Sequence, residues 1–199
     1  NRPIFEKDAI SISNHIKKTK AKAIVFSDFR HGIFSNQSIP LFSSSIPENV
    51  FSVADSQVAS RWGNITDFKG FDLITPNERE ARFAVADQDS TVGALAGKIS
   101  SLSECKTLFM KLGEKGLFVS TNKDKKNQKY FSIDSFTSNL SDAVGAGDAL
   151  LAYSTLSMME SNSEIAAAII GSIAAACECE FDGNIPITSK HVLEKLDII

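Results

Sequence analysis

The sequence has few cysteines, no long apolar run and no surplus of positive charge. Its 199 residues include only three cysteines, Cys105, Cys177 and Cys179. Three cysteines cannot build a disulfide framework, so we expect reduced, structural thiols. No apolar run approaches the roughly 20 residues that a membrane-spanning helix needs. The formal net charge of -3 provides no basic excess for binding a nucleic acid. These features argue against a disulfide-rich secreted protein, a membrane protein and a nucleic-acid partner.

The composition is that of one globular domain with a sizeable core. Hydrophobic residues make up 43% of the chain and charged residues 23%, a balance typical of such domains. The sequence begins with Asn1, Arg2 and Pro3 and shows neither an initiator Met nor a signal-peptide pattern. We therefore expect a cytoplasmic protein, in which residue 1 corresponds to an interior point of a longer gene product.

Short apolar runs alternate with helical patterns along the chain. Runs that predict buried strands are residues 23–26, 50–54, 71–74 and 107–110. Patterns that predict helices are residues 6–20, a segment after Asn77, and residues 95–102, 146–160, 163–179 and 188–196. Strands that alternate with helices indicate an α/β fold with a doubly wound, mainly parallel sheet and flanking helices.

A different pattern follows Gly116. Residues 116–120 and 129–133 are typical of two antiparallel strands. The connection between them contains Lys123, Asp124, Lys125 and Lys126, which we interpret as a solvated hairpin loop rather than a basic binding patch.

The most informative segment is residues 142–148, with the sequence DAVGAGD, which leads directly into a predicted helix. Gly145 and Gly147 leave the backbone bare where the helix begins, so free N–H groups and the positive end of the helix dipole converge on an anion. Asp148 falls in the first turn, where a carboxylate can act as a base. An anion cradle beside a base is what phosphoryl transfer requires.

Two other interpretations of this segment exist. One is an ordinary helix start in which Asp148 is a surface acid favoured by the helix dipole. The other is a dinucleotide-binding fingerprint of an oxidoreductase, which begins with the same Gly-x-Gly spacing. Leu150 stands where that fingerprint needs a third glycine, and no strand leads cleanly into the turn, so the dinucleotide interpretation is weak.

Two further motifs lie at the ends of predicted strands. Asn77 and Glu80 fit a helix cap with its capping-box acid, but their spacing also puts a carboxylate where it could hold hydrated Mg²⁺ against nucleotide phosphates. Lys111, Gly113 and Gly116 fit a tight turn. They also fit a nucleotide-binding site, because a backbone without side chains allows a nucleotide to approach closely and a lysine side chain can contact a phosphate.

The sequence gives little support for a histidine-based metal site, a P-loop or a hydrolase nucleophile. Asp28 follows the first strand and lies near His31, which we interpret as a loop or packing residue. The three histidines have no metal-ligand spacing. Neither a P-loop nor the nucleophile elbow of α/β hydrolases occurs.

Three motifs, in their order and at the strand ends they occupy, resemble those of the PfkB (ribokinase-like) family of carbohydrate kinases. They lie at Asn77 and Glu80, at Gly113 and Gly116, and at residues 142–148. The resemblance covers about residues 20–185. The segment around Asp28 is similar to a stretch found in several sugar kinases of that family, including the heptose kinases. The resemblance implies a ribokinase-like fold and ATP-dependent phosphorylation of a sugar in the presence of Mg²⁺.

The resemblance also implies a role for each matching residue. Asp148 would be the base, and the backbone N–H groups of Gly145, Ala146 and Gly147 would form the anion hole. The other implied roles are nucleotide binding by Asn77, Lys111, Gly113 and Gly116, water-mediated Mg²⁺ binding by Glu80, binding of a monovalent cation such as K⁺ by Asp142 and Val144, and substrate binding by Asp28.

The sequence departs from the family pattern in two ways. The family usually has Thr after the first Asp of the last motif, and here the residue is Ala143. Complete members also carry N-terminal strands, a Gly-rich sugar-binding stretch and a small β lid, which this chain lacks. We therefore expect residues 1–199 to be the C-terminal portion of one kinase domain, with little or no activity as a fragment.

Two further expectations follow from the missing N-terminal segment. An exposed sheet edge would favour self-association or a partner chain. The alternative to a kinase is a non-catalytic nucleotide-binding or regulatory module that has kept the kinase scaffold.

Overall fold

The computed structural model describes residues 3–57, 65–122, 129–183 and 185–199. The helices are α1 (Glu6–Lys17), α2 (Ser38–Ser43), α3 (Glu78–Val85), α4 (Val92–Ser103), α5 (Ala146–Ser161), α6 (Glu164–Glu180) and α7 (Ser189–Leu196). The strands are β1 (Ala23–Asp28), β2 (Phe51–Ser56), β3 (Leu73–Ile74), β4 (Thr107–Lys111), β5 (Leu117–Thr121) and β6 (Lys129–Ile133). The loop predicted around Lys123–Lys126 lies outside the described residues.

The six strands form one sheet in the order β1-β2-β3-β4-β5-β6. Strands β1 to β4 pair in parallel, with Ala23 opposite Phe51, Val53 opposite Leu73, and Leu73 opposite Thr107. The predicted strands at residues 23–26 and 107–110 lie within β1 and β4, and those at residues 50–54 and 71–74 overlap β2 and β3. Strands β5 and β6 are neighbours. The prediction of a mainly parallel sheet with flanking helices is confirmed.

Helix α2 is the one α-helix of the described residues that the sequence did not predict. It has only six residues and contains Pro40, whose ring is tolerated in a first turn but ordinarily signals a break. Strand β3 is shorter than predicted, since only Leu73 and Ile74 make ladder contacts.

The chain divides into two compact units. The first comprises Asn1–Met110 and Ser120–Tyr130. Its core contains a group of phenylalanines around Phe26, whose ring centroid lies 5.2–6.3 Å from those of Phe34, Phe42, Phe68 and Phe71. Tilted and edge-on ring contacts of this kind add to the stabilisation from burial. They fix the β1 strand, at whose carboxyl end Asp28 lies.

The second unit comprises Lys111–Val119 and Phe131–Ile199. Helices α5 and α6 pack closely in it, because Gly171 of α6 has no side chain where it meets Ser154 of α5. The Ser154 hydroxyl donates a hydrogen bond to the Ala167 carbonyl at 3.1 Å. Ile173 and Val192 join α6 to α7 through a small apolar cluster. This packing fixes the first turn of α5.

All three cysteines are free thiols, as predicted. Burial raises the pKa of Cys105, Cys177 and Cys179, which disfavours the reactive thiolate. No helix among the described residues has the length and apolar character required to cross a membrane.

Candidate functional site

The first turn of α5 is the centre of the candidate site in the second unit. Gly145 is the N-cap residue, with φ of 88°, a left-handed conformation that glycine adopts without strain. Among the described residues no side chain caps this helix, whereas Asn77, Thr91 and Ser163 cap α3, α4 and α6. The Ala146 N–H makes only a long hydrogen bond, to the Ala143 carbonyl at 3.4 Å. The positive end of the helix dipole at this turn, which has no side-chain cap, therefore favours an anion.

Asp142 orients the segment that leads into α5. Its Oδ1 accepts a hydrogen bond from the Val144 N–H at 3.0 Å, so the structure brings the two predicted cation ligands together. The N–H groups of Ser141 and Asp142 both donate to the carbonyl of Cys179, at 2.8 and 3.2 Å. These bonds tie the segment to the end of α6. Val144 itself is 62% exposed.

Glu178 of α6 is a charged residue of this region that the sequence gave no reason to select. It is only 3% exposed, and its Oε1 has no hydrogen-bond partner among the described residues. Burial raises the pKa of the Glu178 carboxyl, and the carboxylates of Asp142 and Asp148 raise it further. Three acidic groups therefore influence one another electrostatically near the start of α5. A helical position between two cysteines carries no pattern that would have identified Glu178.

Lys111 brings a positive charge to the same turn. Its Nζ lies 3.4 Å from the position that a Cβ on Gly147 would occupy. Lys111 is the last residue of β4, and Gly147 is the second residue of α5. The structure thus brings together Lys111 and the predicted anion hole, which the sequence had assigned to separate motifs.

The two glycines after Lys111 have different surroundings. Gly113 has φ of 62°, and among the described residues other than its chain neighbours no atom lies within 4 Å of a Cβ built on it, so its backbone is open to close approach. A Cβ on Gly116 would lie 2.1 Å from the carbonyl oxygen of Ile133. Glycine at position 116 is therefore required by packing within the chain, and its contact with a nucleotide stays a prediction.

Asn77 and Glu80 form the capping box of α3 in the first unit. The Asn77 N–H donates to Glu80 Oε2 at 2.7 Å, and the Glu80 N–H donates to Asn77 Oδ1 at 2.8 Å. Glu80 is 6% exposed. The structural interpretation of this motif is thus confirmed, and its role toward Mg²⁺ and nucleotide stays a prediction.

Asp28 lies at the carboxyl end of β1 and is almost completely buried. Its Oδ1 accepts the backbone N–H of Arg30 at 2.8 Å, and its Oδ2 accepts Arg30 Nη1 at 2.8 Å and the Ser56 hydroxyl at 3.1 Å. Asp28 therefore clamps the loop that follows its strand, and substrate binding by Asp28 stays a prediction.

A second polar pair lies at the ends of the neighbouring strands. The Thr75 hydroxyl donates to Asp55 Oδ1 at 3.0 Å, and both residues are buried. Carboxyl ends of parallel strands are where ligands bind in open α/β sheets. The sequence showed that Asp55 and Thr75 follow strands but not that they meet. No group of three metal-binding side chains occurs in the part of the chain that the structure describes.

A family model matches most of the sequence. The model for pfkB family carbohydrate kinases matches residues 48–189, more than half of the chain. The chain belongs to the pfkB family of carbohydrate kinases. The matched residues of this pfkB-family chain include Asn77, Glu80, Lys111 and Asp148.

Solved structures show the same fold at low sequence identity. Phosphofructokinase-2 from Escherichia coli in complex with potassium is 15% identical, with a TM-score of 0.82 over 98% of this chain and 63% of that chain. Ribokinase from Arabidopsis thaliana, complexed with ribose and ATP, is 19% identical, with a TM-score of 0.74 over 98% of this chain and 60% of that chain. Ribokinase from Thermotoga maritima is 21% identical, with a TM-score of 0.73 over 93% and 59%.

These comparisons confirm the ribokinase-like fold. This pfkB-family chain spans about three fifths of the length of the solved structures that it matches. No curated protein matches its sequence at a significant level.

Proposed function

We propose that this chain provides the phosphoryl-transfer site of an ATP-dependent sugar kinase. The observation that carries the proposal is the uncapped start of α5, where the backbone of Gly145 to Gly147 and the Asp148 carboxylate occur in one turn of a pfkB-family chain. Positioning and charge stabilisation provide most of the catalysis in phosphoryl transfer, so an anion cradle and one base suffice.

In the proposed reaction, Asp148 accepts the proton of a sugar hydroxyl. The sugar oxygen then forms a bond to the γ-phosphorus of ATP while the bond from that phosphorus to the β,γ-bridging oxygen breaks. ADP leaves with the electron pair of the broken bond. The N–H groups of Gly145, Ala146 and Gly147 donate hydrogen bonds to the oxygens of the phosphoryl group in transfer.

The nucleotide contacts are proposed for Asn77, Gly113 and Gly116, along with Lys111. Gly113 fits a nucleotide contact best, since its backbone is open to the close approach of a ligand. The Glu80 carboxylate fits water-mediated binding of Mg²⁺, a hard cation that prefers oxygen ligands and keeps several waters. When bound, Mg²⁺ would neutralise phosphate charge.

A monovalent cation such as K⁺ is proposed beside Asp142. The Asp142 carboxylate is fixed by the N–H of Val144, and hard oxygen donors of this kind suit an alkali cation. Phosphofructokinase-2 from Escherichia coli has been solved in complex with potassium, which supports this proposal for the pfkB-family chain.

The proposal is tested by measuring ADP formation from Mg-ATP by the full-length protein with a panel of sugars and sugar phosphates. We expect ADP formation that depends on one class of acceptor. Binding of Mg-ATP in calorimetry without acceptor-dependent turnover would instead support a non-catalytic nucleotide-binding module. Absence of both binding and turnover would contradict both functions.

A further inference from the structure

The Lys111 side chain places its ammonium group close to the backbone at the start of α5. Its Nζ lies 3.4 Å from the Cβ position of Gly147. Because a Cα–Cβ bond is about 1.5 Å long, the ammonium group lies within about 5 Å of the Gly147 Cα. Lys111 is the last residue of the mostly buried strand β4, and the Gly113–Lys115 turn follows it.

This position is unusual for a cation. The N-terminus of a helix is the positive end of its dipole, so anions are favoured there and cations are disfavoured. The Asp148 carboxylate in the first turn offsets part of this charge. An additional anion at the first turn would interact favourably with both the ammonium group and the backbone N–H groups.

We propose that Lys111 contacts the phosphoryl group in transfer, and so adds a full positive charge to the anion hole formed by the backbone of Gly145 to Gly147. This inference rests on the proposed kinase function. It also differs from the nucleotide-lining role that the sequence predicted for Lys111. Gly147 belongs to the anion hole, whereas a residue that only lines the nucleotide would contact the phosphates that remain in ADP.

The chemistry of the ammonium group suits this role. Lysine presents three donors from a compact point charge on a flexible stem. The transferred phosphoryl spreads its charge over three equatorial oxygens. A lysine can therefore follow these oxygens as they move from ATP to the sugar. Fixed backbone N–H groups cannot follow them in this way.

The test compares Lys111→Met with Lys115→Met in the full-length protein. Lys115 is an exposed lysine of the adjacent turn, so its substitution removes the same charge from a neighbouring position of the chain. Binding is measured for Mg-ADP alone and for Mg-ADP with aluminium fluoride, which mimics the planar phosphoryl in transfer. Thermal unfolding of each variant confirms that it is folded, and Lys111→Arg provides a second, charge-preserving variant.

We expect Lys111→Met to lower kcat and the affinity for the aluminium fluoride complex by about 100-fold, the scale of losing one anion-hole donor. The affinity for Mg-ADP alone should change by less than about twofold, because ADP lacks the transferred group. Lys111→Arg should recover part of the loss. Lys115→Met should match the wild type in all three measurements.

Three results would overturn the inference. An equal loss of affinity for Mg-ADP and for the fluoride complex would make Lys111 a nucleotide-lining residue. Unchanged affinity for both would leave it only a partner of the nearby acidic groups. A wild-type protein that binds Mg-ADP no more tightly with aluminium fluoride also overturns it. Failure of the kinase proposal is recognised separately, as wild-type protein that forms no ADP with any acceptor.

Discussion

The carbonyl oxygen of Ile133 lies 2.1 Å from the position that a Cβ on Gly116 would occupy. The start of β5 and the end of β6 thus pack so closely that position 116 has no room for a side chain. Gly116 belongs to a motif that resembles a nucleotide-binding turn, but the packing of the fold by itself already requires glycine at this position.

Substitution of Gly116 by Ala should strongly destabilise the protein. The new Cβ would collide with backbone atoms, and φ of 84° is itself unfavourable for alanine. We expect a loss of more than about 3 kcal/mol in the free energy of unfolding, measured by urea denaturation. The control is Gly113→Ala, which has a positive φ but open space and should lose only about 1 kcal/mol. Equal losses in the two variants would contradict the close packing.

Two helical glycines should respond to alanine with opposite signs. In Gly171→Ala the Cβ would lie 2.0 Å from the Ser154 Oγ and 3.1 Å from the Leu150 carbonyl oxygen. Because α5 and α6 would have to separate, we expect a loss of about 1–3 kcal/mol. In Gly97→Ala of α4, no atom of the described residues beyond the neighbouring helix backbone lies within 4 Å of the new Cβ, so we expect a gain of about 0.5–1 kcal/mol from helix propensity. Thermal or urea unfolding checks both, and a gain in Gly171→Ala would refute the close helix contact.

Asn77→Ala separates the two roles of the capping box. The substitution removes the acceptor for the Glu80 N–H, so α3 should lose about 1 kcal/mol of stability. If Asn77 also serves the nucleotide, turnover with Mg-ATP should fall by more than this loss of stability explains. The control is Ser163→Ala, which removes the N-cap acceptor of α6. It should cost a similar amount of stability and leave KM for ATP unchanged, whereas equal kinetic effects would show that Asn77 is only a cap.

Most of the fold could be predicted from the sequence because its signals are local. The apolar runs at residues 23–26 and 107–110 lie in β1 and β4, and Asn77 caps α3 as its spacing indicates. Helix α2 was missed because its six residues are too few for a helical period and include Pro40.

The contacts of the candidate site were less predictable, since they join residues far apart in the chain. The sequence placed Lys111 and Gly147 in separate motifs, and only the packing of the second unit shows that they meet. The hydrogen bond from the Ser56 hydroxyl to Asp28 likewise depends on the register of β1 and β2, in which these two residues lie opposite each other. Glu178 could not be selected, because α6 also contains Glu164 and Glu180 and the sequence carries no signal that Glu178 is the buried acid among them.

Glu178→Gln should change how stability depends on pH. Burial and then the carboxylates of Asp142 and Asp148 raise the pKa of Glu178 in the folded state. The folded protein therefore keeps a proton that the unfolded chain releases above about pH 4, so this group lowers stability as pH rises from its unfolded pKa toward its folded pKa. Glutamine has no such proton, and the variant should lose less stability than the wild type over that range.

The measurement is urea unfolding at a series of pH values and constant ionic strength. Glu160→Gln is the control, since it removes an exposed acid from the other end of α5. Its curve should have the same slope as the wild type. Parallel curves for Glu178→Gln and the wild type would show that Glu178 ionises in the folded protein as it does in the unfolded chain.

The most direct test of the proposed function is the turnover of Asp148→Asn beside that of Glu160→Gln in the full-length protein. Both variants remove one acid from α5, but only Asp148 lies in the turn that is proposed to form the anion hole. Loss of a general base should lower kcat by about 100-fold or more in Asp148→Asn, with nucleotide binding retained. Glu160→Gln should keep wild-type turnover, and an Asp148→Asn variant with kcat within about twofold of the wild type would contradict the assignment of Asp148 as the base.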